Sequence, residues 1–304
     1  MVYTTHQKKP VTARPFLKWA GGKRQLLPVI TDALPKNLAR DAFVYVEPFV
    51  GSGAVLFRML HHFPNIERAV INDVNEDLID AYRTVQEEPD ALIDALQQLE
   101  REYYGNPEEE FRQMHYQMVR ELFNGRSASR ANHTAYLIFL NRTCYNGLYR
   151  VNKDNQFNVP FGKHKNPRIC NEANIRLVHE ALQKVEIRLG DFDALSDLVT
   201  PNAFFYFDPP YKPISSTASF NAYSQNGFGD GDQERLKAFC DKLHKTGSRW
   251  MLSNSDPKNE NPENHFFDEL YGDFHIERVK ARRVINSRGS NRGEISELLI
   301  RNYD

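Results

Sequence analysis

The chain has 304 residues, a formal net charge of −1 at pH 7, and 40% hydrophobic and 12% aromatic residues. This combination is typical of a globular protein with an ample core, built as one large domain or as a domain with an insertion. The nearly neutral charge excludes a global basic field, so any contact with nucleic acid must come from a local patch.

The cysteines and the hydropathy of the chain indicate its cellular compartment and argue against a metal site or a membrane segment. The three cysteines are far apart and have no metal-binding spacing: Cys144, Cys170 and Cys240. They predict reduced thiols in a cytoplasmic protein without a metal site. We expect no membrane contact, because no apolar run is long enough to cross a bilayer and no segment near Met1 resembles a signal peptide.

A glycine bend follows the polar and basic first 14 residues. Trp19, Gly21 and Gly22 lie in a short segment that precedes a predicted helix over 25–33. A Gly-Gly bend allows the main chain to approach a small molecule closely, and Trp19 offers a face on which an aromatic ring can pack. Taken alone, the pattern is equally typical of a structural turn.

The first predicted strand, 43–46, leads into a glycine loop and a predicted helix over 54–62. A glycine loop between a strand and a helix is the general arrangement for binding a nucleotide. The second strand, 69–71, ends at Asn72-Asp73, and Asp73 lies 20 residues after Gly53, a spacing at which a carboxylate accepts hydrogen bonds from ribose hydroxyls. The loop lacks the third glycine of the dinucleotide fingerprint. This favours S-adenosylmethionine, a nucleoside cofactor without phosphates, over NAD.

Residues 76 to about 123 are predicted to be helical and amphipathic. Asn106 followed by Pro107 and two glutamates predicts the beginning of one helix with Asn106 as its cap. A further helix is predicted over 131–140. This block is too long for a simple crossover between strands, so it predicts an inserted subdomain.

Basic and aromatic side chains are interleaved over 141–168, where Asp154 is the one acidic residue. The basic residues are Arg142, Arg150, Lys153, Lys163, Lys165 and Arg168. Residues 149–152 and 157–159, separated by a polar turn, predict a β-hairpin. Such a hairpin suits phosphate contacts and stacking on DNA. A solvated hairpin with a few buried rings would have the same composition.

Two later strands end in chemically useful residues. The strand 185–189 is followed by Asp191 and Phe192, which are suited to bind the amino group and the ring of an adenine. Residues 203–207 are all apolar or aromatic and predict a doubly covered strand, which stops at Asp208-Pro209-Pro210-Tyr211. Ligands in open α/β sheets bind outside the carboxyl ends of the strands, so this tetrapeptide is the candidate catalytic site.

The tetrapeptide suits the alkylation of an aromatic amine. The exocyclic nitrogen of a nucleobase is a poor nucleophile because its lone pair is delocalised into the ring. Two hydrogen-bond acceptors, the carboxylate of Asp208 and the carbonyl of Pro209, would favour the tetrahedral geometry that frees the lone pair. Tyr211 offers a flat face for a base taken out of its stack. A strand end and a core tyrosine would explain an isolated DPPY equally well.

The remaining chain completes the predicted sheet. The polar loop 212–231 is long enough to act as a lid, and a helix over 232–244 precedes a strand at 249–252. Residues 277–285 and 294–302 predict a final antiparallel pair. Their connection, 286–293, either touches a phosphate backbone or is disordered.

These motifs, in this order, strongly resemble those of the Dam-type DNA adenine-N6 methyltransferases of the α class, or D12 class. The motif F-x-K-W-x-G-G-K matches Phe16 to Lys23, and the cofactor loop D/E-P-F-x-G-S-G matches Glu47 to Gly53. DPPY matches Asp208 to Tyr211. The signature N-R/K-x-x-Y/F-N-G-L-x-R, at Asn141 to Arg150, is more specific, as is F-N-V-P-F-G at Phe157 to Gly162. The resemblance covers nearly the whole chain.

The resemblance implies an α/β fold, a Rossmann-like class I methyltransferase sheet with an inserted helical and β-hairpin target-recognition domain. Residues 1–75 and 172–304 would form the catalytic, S-adenosylmethionine-binding domain, and 76–171 the DNA target-recognition domain. The implied reaction methylates N6 of adenine in double-stranded DNA at GATC, with the base flipped into the site. We expect a monomer in the cytoplasm, associated with the nucleoid.

The resemblance also implies roles for single residues. The catalytic residues would be Asp208, Pro209, Pro210 and Tyr211. The cofactor-binding residues would be Trp19, Ala20, Gly22, Lys23, Phe49, Gly51, Ser52, Gly53, Asp73, Asp191, Phe192 and Asp208. The DNA-binding residues would be Lys18, Arg142, Tyr145, Asn146, Leu148, Arg150, Asn158, Pro160, Lys163 and His164. Tyr145 and Asn146 would lie near the displaced base pair, and His164 stands where relatives carry an aromatic residue.

Other functions remain as alternatives. One is methylation of another amine, such as cytosine N4 or RNA adenine, against which the recognition hairpin argues. A DNA-binding regulator with a vestigial cofactor fold is disfavoured by the intact glycines, Asp73 and DPPY, and a dinucleotide oxidoreductase by the missing glycine. The sequence is compatible both with a solitary enzyme that marks DNA for replication or repair and with the restriction-modification partner of an endonuclease encoded nearby.

Overall fold

The computed structural model describes residues 12–19, 21–23, 25–210, 228–282 and 294–304. Within these residues the strands form one seven-stranded sheet in the order β3-β2-β1-β4-β5-β7-β6. The strands are β1 (Phe43–Glu47), β2 (Ile66–Asp73), β3 (Val185–Leu189), β4 (Ala203–Phe207), β5 (Arg249–Ser255), β6 (His275–Arg282) and β7 (Glu294–Arg301).

The direction of the strands determines which residues meet at one edge of the sheet. Strands β1 to β5 run parallel, whereas β7 runs antiparallel to β5 and β6. The carboxyl ends of the parallel strands and the beginning of β7 therefore lie at the same edge. The strand order reverses between β1 and β4, which is where open α/β sheets bind ligands. The sheet confirms the predicted Rossmann-like α/β class and the final antiparallel pair.

Helices cover the sheet and form a separate block beside it. In the described residues they are α1 (Leu27–Asp32), α2 (Ala54–His62), α3 (Glu76–Glu87), α4 (Pro89–Tyr104), α5 (Glu109–Gly125), α6 (Arg130–Thr143), α7 (Glu172–Leu182), α8 (Asp230–Lys245) and α9 (Phe266–Leu270). None of these helices is both long and apolar enough to span a bilayer. The sequence analysis did not predict α7 and α9.

The predicted cap at Asn106 is wrong. Helix α5 begins three residues later, at Glu109, and the preceding Glu108 is extended with φ −65° and ψ 133°. The side chain of Asn106 instead accepts a hydrogen bond at 2.9 Å from the N–H of Glu108. A short polar side chain that bonds two residues ahead stabilises a turn, so here it competes with helix initiation.

Strand β4 is the centre of the core, because all five of its residues are buried. Alternate side chains point to opposite faces of a strand, so Phe204 and Tyr206 enter one core and the other two aromatic residues enter a second core. The first core also contains Tyr116 from α5 and Phe139 from α6. One face of the sheet and the helical block therefore share a continuous core, which holds the block in place beside the carboxyl edge.

Candidate active site

Asp208 follows β4 directly and lies at the carboxyl edge of the sheet, with 20% of its side chain exposed. Its Oδ1 lies 2.9 Å from Nζ of Lys23 and accepts a hydrogen bond from Oγ of Ser253 at 3.2 Å. The same hydroxyl of Ser253 lies 2.9 Å from that of Tyr206. Three segments that are distant in the sequence therefore position one carboxylate. Ser253 was not among the predicted site residues.

The rest of the DPPY motif is only partly within the described residues. Pro209 is buried and Pro210 is exposed. The predicted catalytic Tyr211 and the predicted cofactor residue Ala20 lie outside the described residues, as does most of the predicted lid.

The charge on Asp208 is set by opposing effects. Burial raises the pKa of its carboxyl group, the adjacent ammonium of Lys23 opposes that rise, and the carboxylate of Glu297 adds to it. Oε2 of Glu297 lies 3.7 Å from Nζ of Lys23. The sequence analysis assigned no role to Glu297, which stands directly before the apolar run Leu298 to Ile300 of β7.

Glu47, the first residue of the glycine loop, is a second buried acid beside Asp208. It is only 2% exposed and accepts a hydrogen bond at 2.7 Å from the hydroxyl of Tyr45. Burial raises the pKa of Glu47 well above its usual range, and the charge of Asp208 adds to the shift. Glu47 is therefore better suited to fix Tyr45 and the end of β1 than to serve as an ionised acceptor.

The glycine loop has the backbone conformation that its glycines predict. Gly51 and Gly53 have φ of 46° and 70°, in the left-handed region that favours glycine. A Cβ on Gly53 would lie 2.5 Å from the hydroxyl of Tyr82, which donates to the carbonyl oxygen of Gly51 at 3.0 Å. Tyr82 therefore packs against the loop and holds its main chain in place. The sequence analysis did not predict this role for Tyr82.

Asp73 joins the end of β2 to the glycine loop. Its Oδ2 accepts a hydrogen bond from the N–H of Gly51 at 3.2 Å, and its Oδ1 accepts one from the N–H of Asn75 at 3.0 Å. Burial raises the pKa of Asp73 to about 6, and the hydrogen bonds to the main chain oppose the rise. The neighbouring Asn72 donates to the carbonyl oxygens of Pro48 and Gly190. These bonds bring three loops together at one edge.

Trp19 lies over the same loop. A Cβ added to Gly51 would be 3.2 Å from Cδ1 of Trp19, so the indole packs directly on the loop backbone. The ring of Tyr149 stacks on the indole of Trp19 with centroids 4.9 Å apart. Gly22 is close as well, because a Cβ there would lie 4.0 Å from Oγ of Ser52. The structure brings these predicted cofactor residues together.

Asp191 and Phe192 follow β3 at the same edge, but their surroundings differ. Asp191 is exposed, and its Oδ1 accepts from the N–H of Asp193 at 3.0 Å and pairs with Arg235 at 2.8 Å. Phe192 is only 1% exposed and packs against Phe49 with centroids 5.6 Å apart. Most of the Phe192 ring is therefore occupied by the core, and a ligand would reach only its edge.

Asn141 connects the amino-terminal motif to the predicted recognition motif. Its side chain accepts from the N–H of Lys18 at 2.8 Å and donates to the carbonyl oxygens of Lys18 and Gly147 at 2.8 and 3.0 Å. Arg142 lies beside it, largely buried, and donates to the carbonyl oxygen of Phe16 at 2.7 Å. Burial lowers the pKa of the Arg142 guanidinium. Arg142 thus holds the N-terminal segment in this structure.

The turn Tyr145–Gly147 presents side chains to solvent. Tyr145 is 55% exposed although it is aromatic, and Asn146 has φ 56°. A Cβ on Gly147 would clash with Cδ of Lys18, so the stem of this exposed lysine runs across the turn. The exposed ring of Tyr145 and the left-handed backbone of Asn146 do not contribute to the core, so packing alone does not explain this turn.

The predicted hairpin exists but is short. It has one bridge, between Val151 and Phe157, and Arg150 donates to the side-chain and main-chain oxygens of Asn158 at 2.7 and 3.1 Å. The other predicted DNA contacts lie nearby in the sequence. Leu148 and His164 are partly buried, whereas Pro160 and Lys163 are exposed. The Nζ of Lys163 pairs with Glu109 at 2.6 Å. The ring of His164 lies 3.0 Å from the carbonyl oxygen of Cys144.

Asp77 is the centre of a buried network that the sequence analysis missed. Arg126 donates to both of its oxygens at 2.9 and 3.1 Å, Tyr149 donates to Oδ2 at 2.8 Å, and Nε2 of His133 lies 3.1 Å from Oδ1. Although burial alone would raise the pKa of Asp77, these three partners lower it to about 2. The network fastens α3 to the end of α5 and to α6, and it orients Tyr149 against Trp19.

The order of the strands, the glycine loop, the acidic residue at the end of β2 and DPPY at the carboxyl end of β4 define the class of Rossmann-like methyltransferases. The comparison with known families agrees with this class. The chain belongs to the D12 class of N6 adenine-specific DNA methyltransferases, because the model of that family matches residues 19–285.

Similar curated proteins span almost the same length. The type II methyltransferase M.MjaIII of Methanocaldococcus jannaschii is 45% identical over 95% of this chain and 99% of its own. The type II methyltransferase M1.LlaDCHI of Lactococcus lactis subsp. cremoris is 38% identical over 98% of both chains. The DNA adenine methylase of Escherichia coli (strain K12) is 34% identical over 94% of both. The protein is therefore an adenine-specific DNA methyltransferase.

Proposed function

We propose that the protein transfers a methyl group from S-adenosylmethionine to N6 of an adenine flipped out of double-stranded DNA, with GATC as the target. The observation that carries this proposal is the position of Asp208. Its partly exposed carboxylate is held by Lys23 and Ser253, next to the strand that leads into the glycine loop. An acceptor for an amine and a pocket for a nucleoside thus share one edge of the sheet.

The residues at that edge fit the proposed cofactor. Asp73 would accept hydrogen bonds from the ribose hydroxyls, and the left-handed backbone at Gly51 and Gly53 forms the loop that would approach the nucleoside. Trp19, Ala20, Gly22, Lys23, Phe49, Ser52 and Asp208 would complete the pocket, with Asp191 and the edge of Phe192 beside the adenine. When bound, S-adenosylmethionine supplies an electrophilic methyl group on a sulfonium.

The proposed chemistry is one direct displacement. Asp208 and the carbonyl oxygen of Pro209 accept the two hydrogens of the adenine amino group, which makes its lone pair available, and Tyr211 stacks on the flipped ring. The cofactor would supply the methyl group to this nitrogen, and its sulfur would leave as a neutral thioether. The methylated nitrogen is then positively charged and acidic, so Asp208 needs only a modest basicity to accept its proton. Proximity and electrostatic positioning would supply most of the acceleration.

We assign DNA binding to the exposed surface that contains the turn Tyr145–Gly147. Tyr145 and Asn146 would fill the gap left by the displaced base, and Leu148, Arg150 and Pro160 would contact flanking bases. Lys18, Arg142, Asn158, Lys163 and His164 would complete the interface. On this proposal residues 76–171 are the target-recognition domain, and 1–75 with 172–304 the catalytic domain.

The cellular role is part of the proposal. Two relatives are named type II methyltransferases, which supports restriction-modification with an endonuclease encoded nearby and no required contact between the two proteins. Marking DNA for replication or repair uses the same chemistry. In either role the protein would act as a monomer on DNA in the cytoplasm, at the nucleoid.

Incubation with unmethylated plasmid and labelled S-adenosylmethionine tests the proposal. We expect label on N6 of adenine and protection from an endonuclease that is blocked by methylated GATC. Asp208→Ala should retain DNA binding and lose transfer, whereas Asp90→Asn, on the exposed face of α4, should behave like the wild type. Label on cytosine or RNA, or unchanged turnover by Asp208→Ala, would contradict the proposal. A regulator would bind DNA without transferring label.

A further inference from the structure

Glu297 lies at the carboxyl edge of the parallel strands because β7 runs antiparallel to β5 and β6. In the register of β5 and β7, Glu297 lies opposite Ser255, and Leu299 lies opposite Ser253. Oε2 of Glu297 is 3.7 Å from Nζ of Lys23, and the same Nζ is 2.9 Å from Oδ1 of Asp208. One ammonium group therefore bridges the catalytic carboxylate and a carboxylate from the antiparallel part of the sheet.

This bridge is largely shielded from water. The side chain of Lys23 is 3% exposed and that of Glu297 is 15% exposed. The ammonium also donates to the carbonyl oxygen of Gly21 at 3.3 Å, so its contacts come from the glycine bend, β7 and the end of β4. Charge interactions at such a site are screened much less by salt and solvent than those on the surface.

Several groups around Asp208 set its charge. Among the described residues, the titratable and polar groups that face it from the strands include Glu47 on β1, Tyr206 on β4, Ser253 on β5 and Glu297 on β7. Lys23 faces it from the amino-terminal segment and lowers the pKa of its carboxyl group. Glu297 has two effects of opposite sign: it attracts the ammonium that stabilises ionised Asp208, and its own charge raises the pKa of Asp208.

We infer that Glu297 is a positioning residue for the methyl transfer, which holds Lys23 against Asp208 and sets the pH range in which Asp208 is ionised. This inference rests on the proposed function, in which ionised Asp208 accepts a hydrogen bond from the adenine amino group. Glu297 acts on Asp208 through Lys23 and through its own charge, and it is not itself assigned a contact with the base.

The inference predicts shifts of opposite sign in two variants. Glu297→Gln keeps the size of the side chain and an oxygen for the ammonium, but it removes a charge that raises the pKa of Asp208. Lys23→Met removes the ammonium that lowers it. The rate should fall on the acid side as Asp208 becomes protonated, and we call this part of the pH–rate profile the acid limb. Its midpoint should therefore move to lower pH in Glu297→Gln and to higher pH in Lys23→Met. A purely structural role would lower the rate at every pH and leave the limb in place.

The single-turnover rate of methyl transfer, measured with saturating DNA and S-adenosylmethionine between pH 5 and pH 9, tests this. We expect the acid limb to fall by about half a pH unit to one unit in Glu297→Gln and to rise by about one unit or more in Lys23→Met. Glu297→Asp keeps the charge, so its limb should stay in place whatever its maximal rate. Glu277→Gln is the matched control, because this carboxylate on β6 pairs with Arg301 instead.

A second readout needs neither DNA nor cofactor. The carboxyl 13C resonance of Asp208, assigned by its absence in Asp208→Asn, should titrate at a lower pH in Glu297→Gln than in the wild type. If Glu297→Gln leaves both the resonance and the acid limb unmoved, or moves them upward, the inference is overturned. If the wild type transfers no methyl group, the proposed function fails, and the resonance alone decides whether Glu297 controls the ionisation of Asp208.

Discussion

The ring of Tyr149 stacks on the indole of Trp19, with centroids 4.9 Å apart and an angle of 27° between the planes. Trp19 packs on Gly51 of the glycine loop, and the hydroxyl of Tyr149 donates to Asp77 at 2.8 Å. Tyr149 also belongs to the segment that we propose to contact DNA. One aromatic contact therefore joins the segment that we propose to contact DNA to the proposed cofactor pocket, and a buried carboxylate orients it.

Replacement of Tyr149 separates the two contacts. Tyr149→Phe keeps the stack but leaves Asp77 with one donor fewer, so we expect a loss of about 1–2 kcal/mol in unfolding free energy and nearly unchanged affinity for S-adenosylmethionine. Tyr149→Ala also removes the stack, which should weaken cofactor binding roughly 2- to 10-fold. Calorimetric titration and urea denaturation measure the two effects. Equal cofactor affinity in both variants would show that the stack is not used.

The Asp77 network makes stability depend on pH. The pKa of Asp77 is lowered in the folded state to about 2 by Arg126, His133 and Tyr149, below its usual value of 3.8. Its ionised form therefore stabilises the fold above pH 3.8 by about 2 kcal/mol, and this contribution is lost as the pH falls toward 2. Asp77→Asn should be less stable than the wild type at pH 7, and the difference should shrink between pH 5 and pH 3. A difference independent of pH would contradict the ion pairs.

Asp73 should make cofactor binding depend on pH near neutrality. Burial raises its pKa to about 6, so the protonated form is favoured in the folded protein below that pH and is lost as the pH rises through 6. The ionised carboxylate is a stronger acceptor for ribose hydroxyls than the protonated acid. The dissociation constant for S-adenosylmethionine should rise by up to about tenfold between pH 7.5 and pH 5, because the ionised fraction falls by that factor. Asp73→Asn should bind weakly at both values, and Asp90→Asn should follow the wild type.

The glycine at position 53 is required by space as well as by conformation. A Cβ there would lie 2.5 Å from the hydroxyl of Tyr82 and 3.1 Å from the Phe57 ring, and φ is 70°. Gly53→Ala should therefore cost roughly 1–3 kcal/mol of stability and weaken cofactor binding. Gly125→Ala, at the end of α5 where no atom lies within 4 Å of the added Cβ, is the control and should be nearly neutral. Thermal unfolding with and without cofactor would measure both.

Much of the site followed from local patterns. The short apolar runs predicted the parallel strands, and the residue after each run then had to lie at the carboxyl edge, as Asp73, Asp191 and Asp208 do. The helical block was harder, because the same amphipathic pattern fits one long helix or the three helices α3, α4 and α5. Asn106 shows why a helix start could not be predicted from a local motif alone. An asparagine before a proline stabilises a turn as readily as a helix start.

The sequence by itself determined the class of the fold, the family and the position of the carboxylate that we propose to face the substrate, because these depend on short motifs and on the direction of each strand. Only the tertiary structure decided which distant groups control that carboxylate. Ser253 and Glu297 reach Asp208 and Lys23 because β5 and β7 pair in one register, and Tyr149 reaches Trp19 because Asp77 anchors it. Such contacts depend on packing between segments that no local pattern relates.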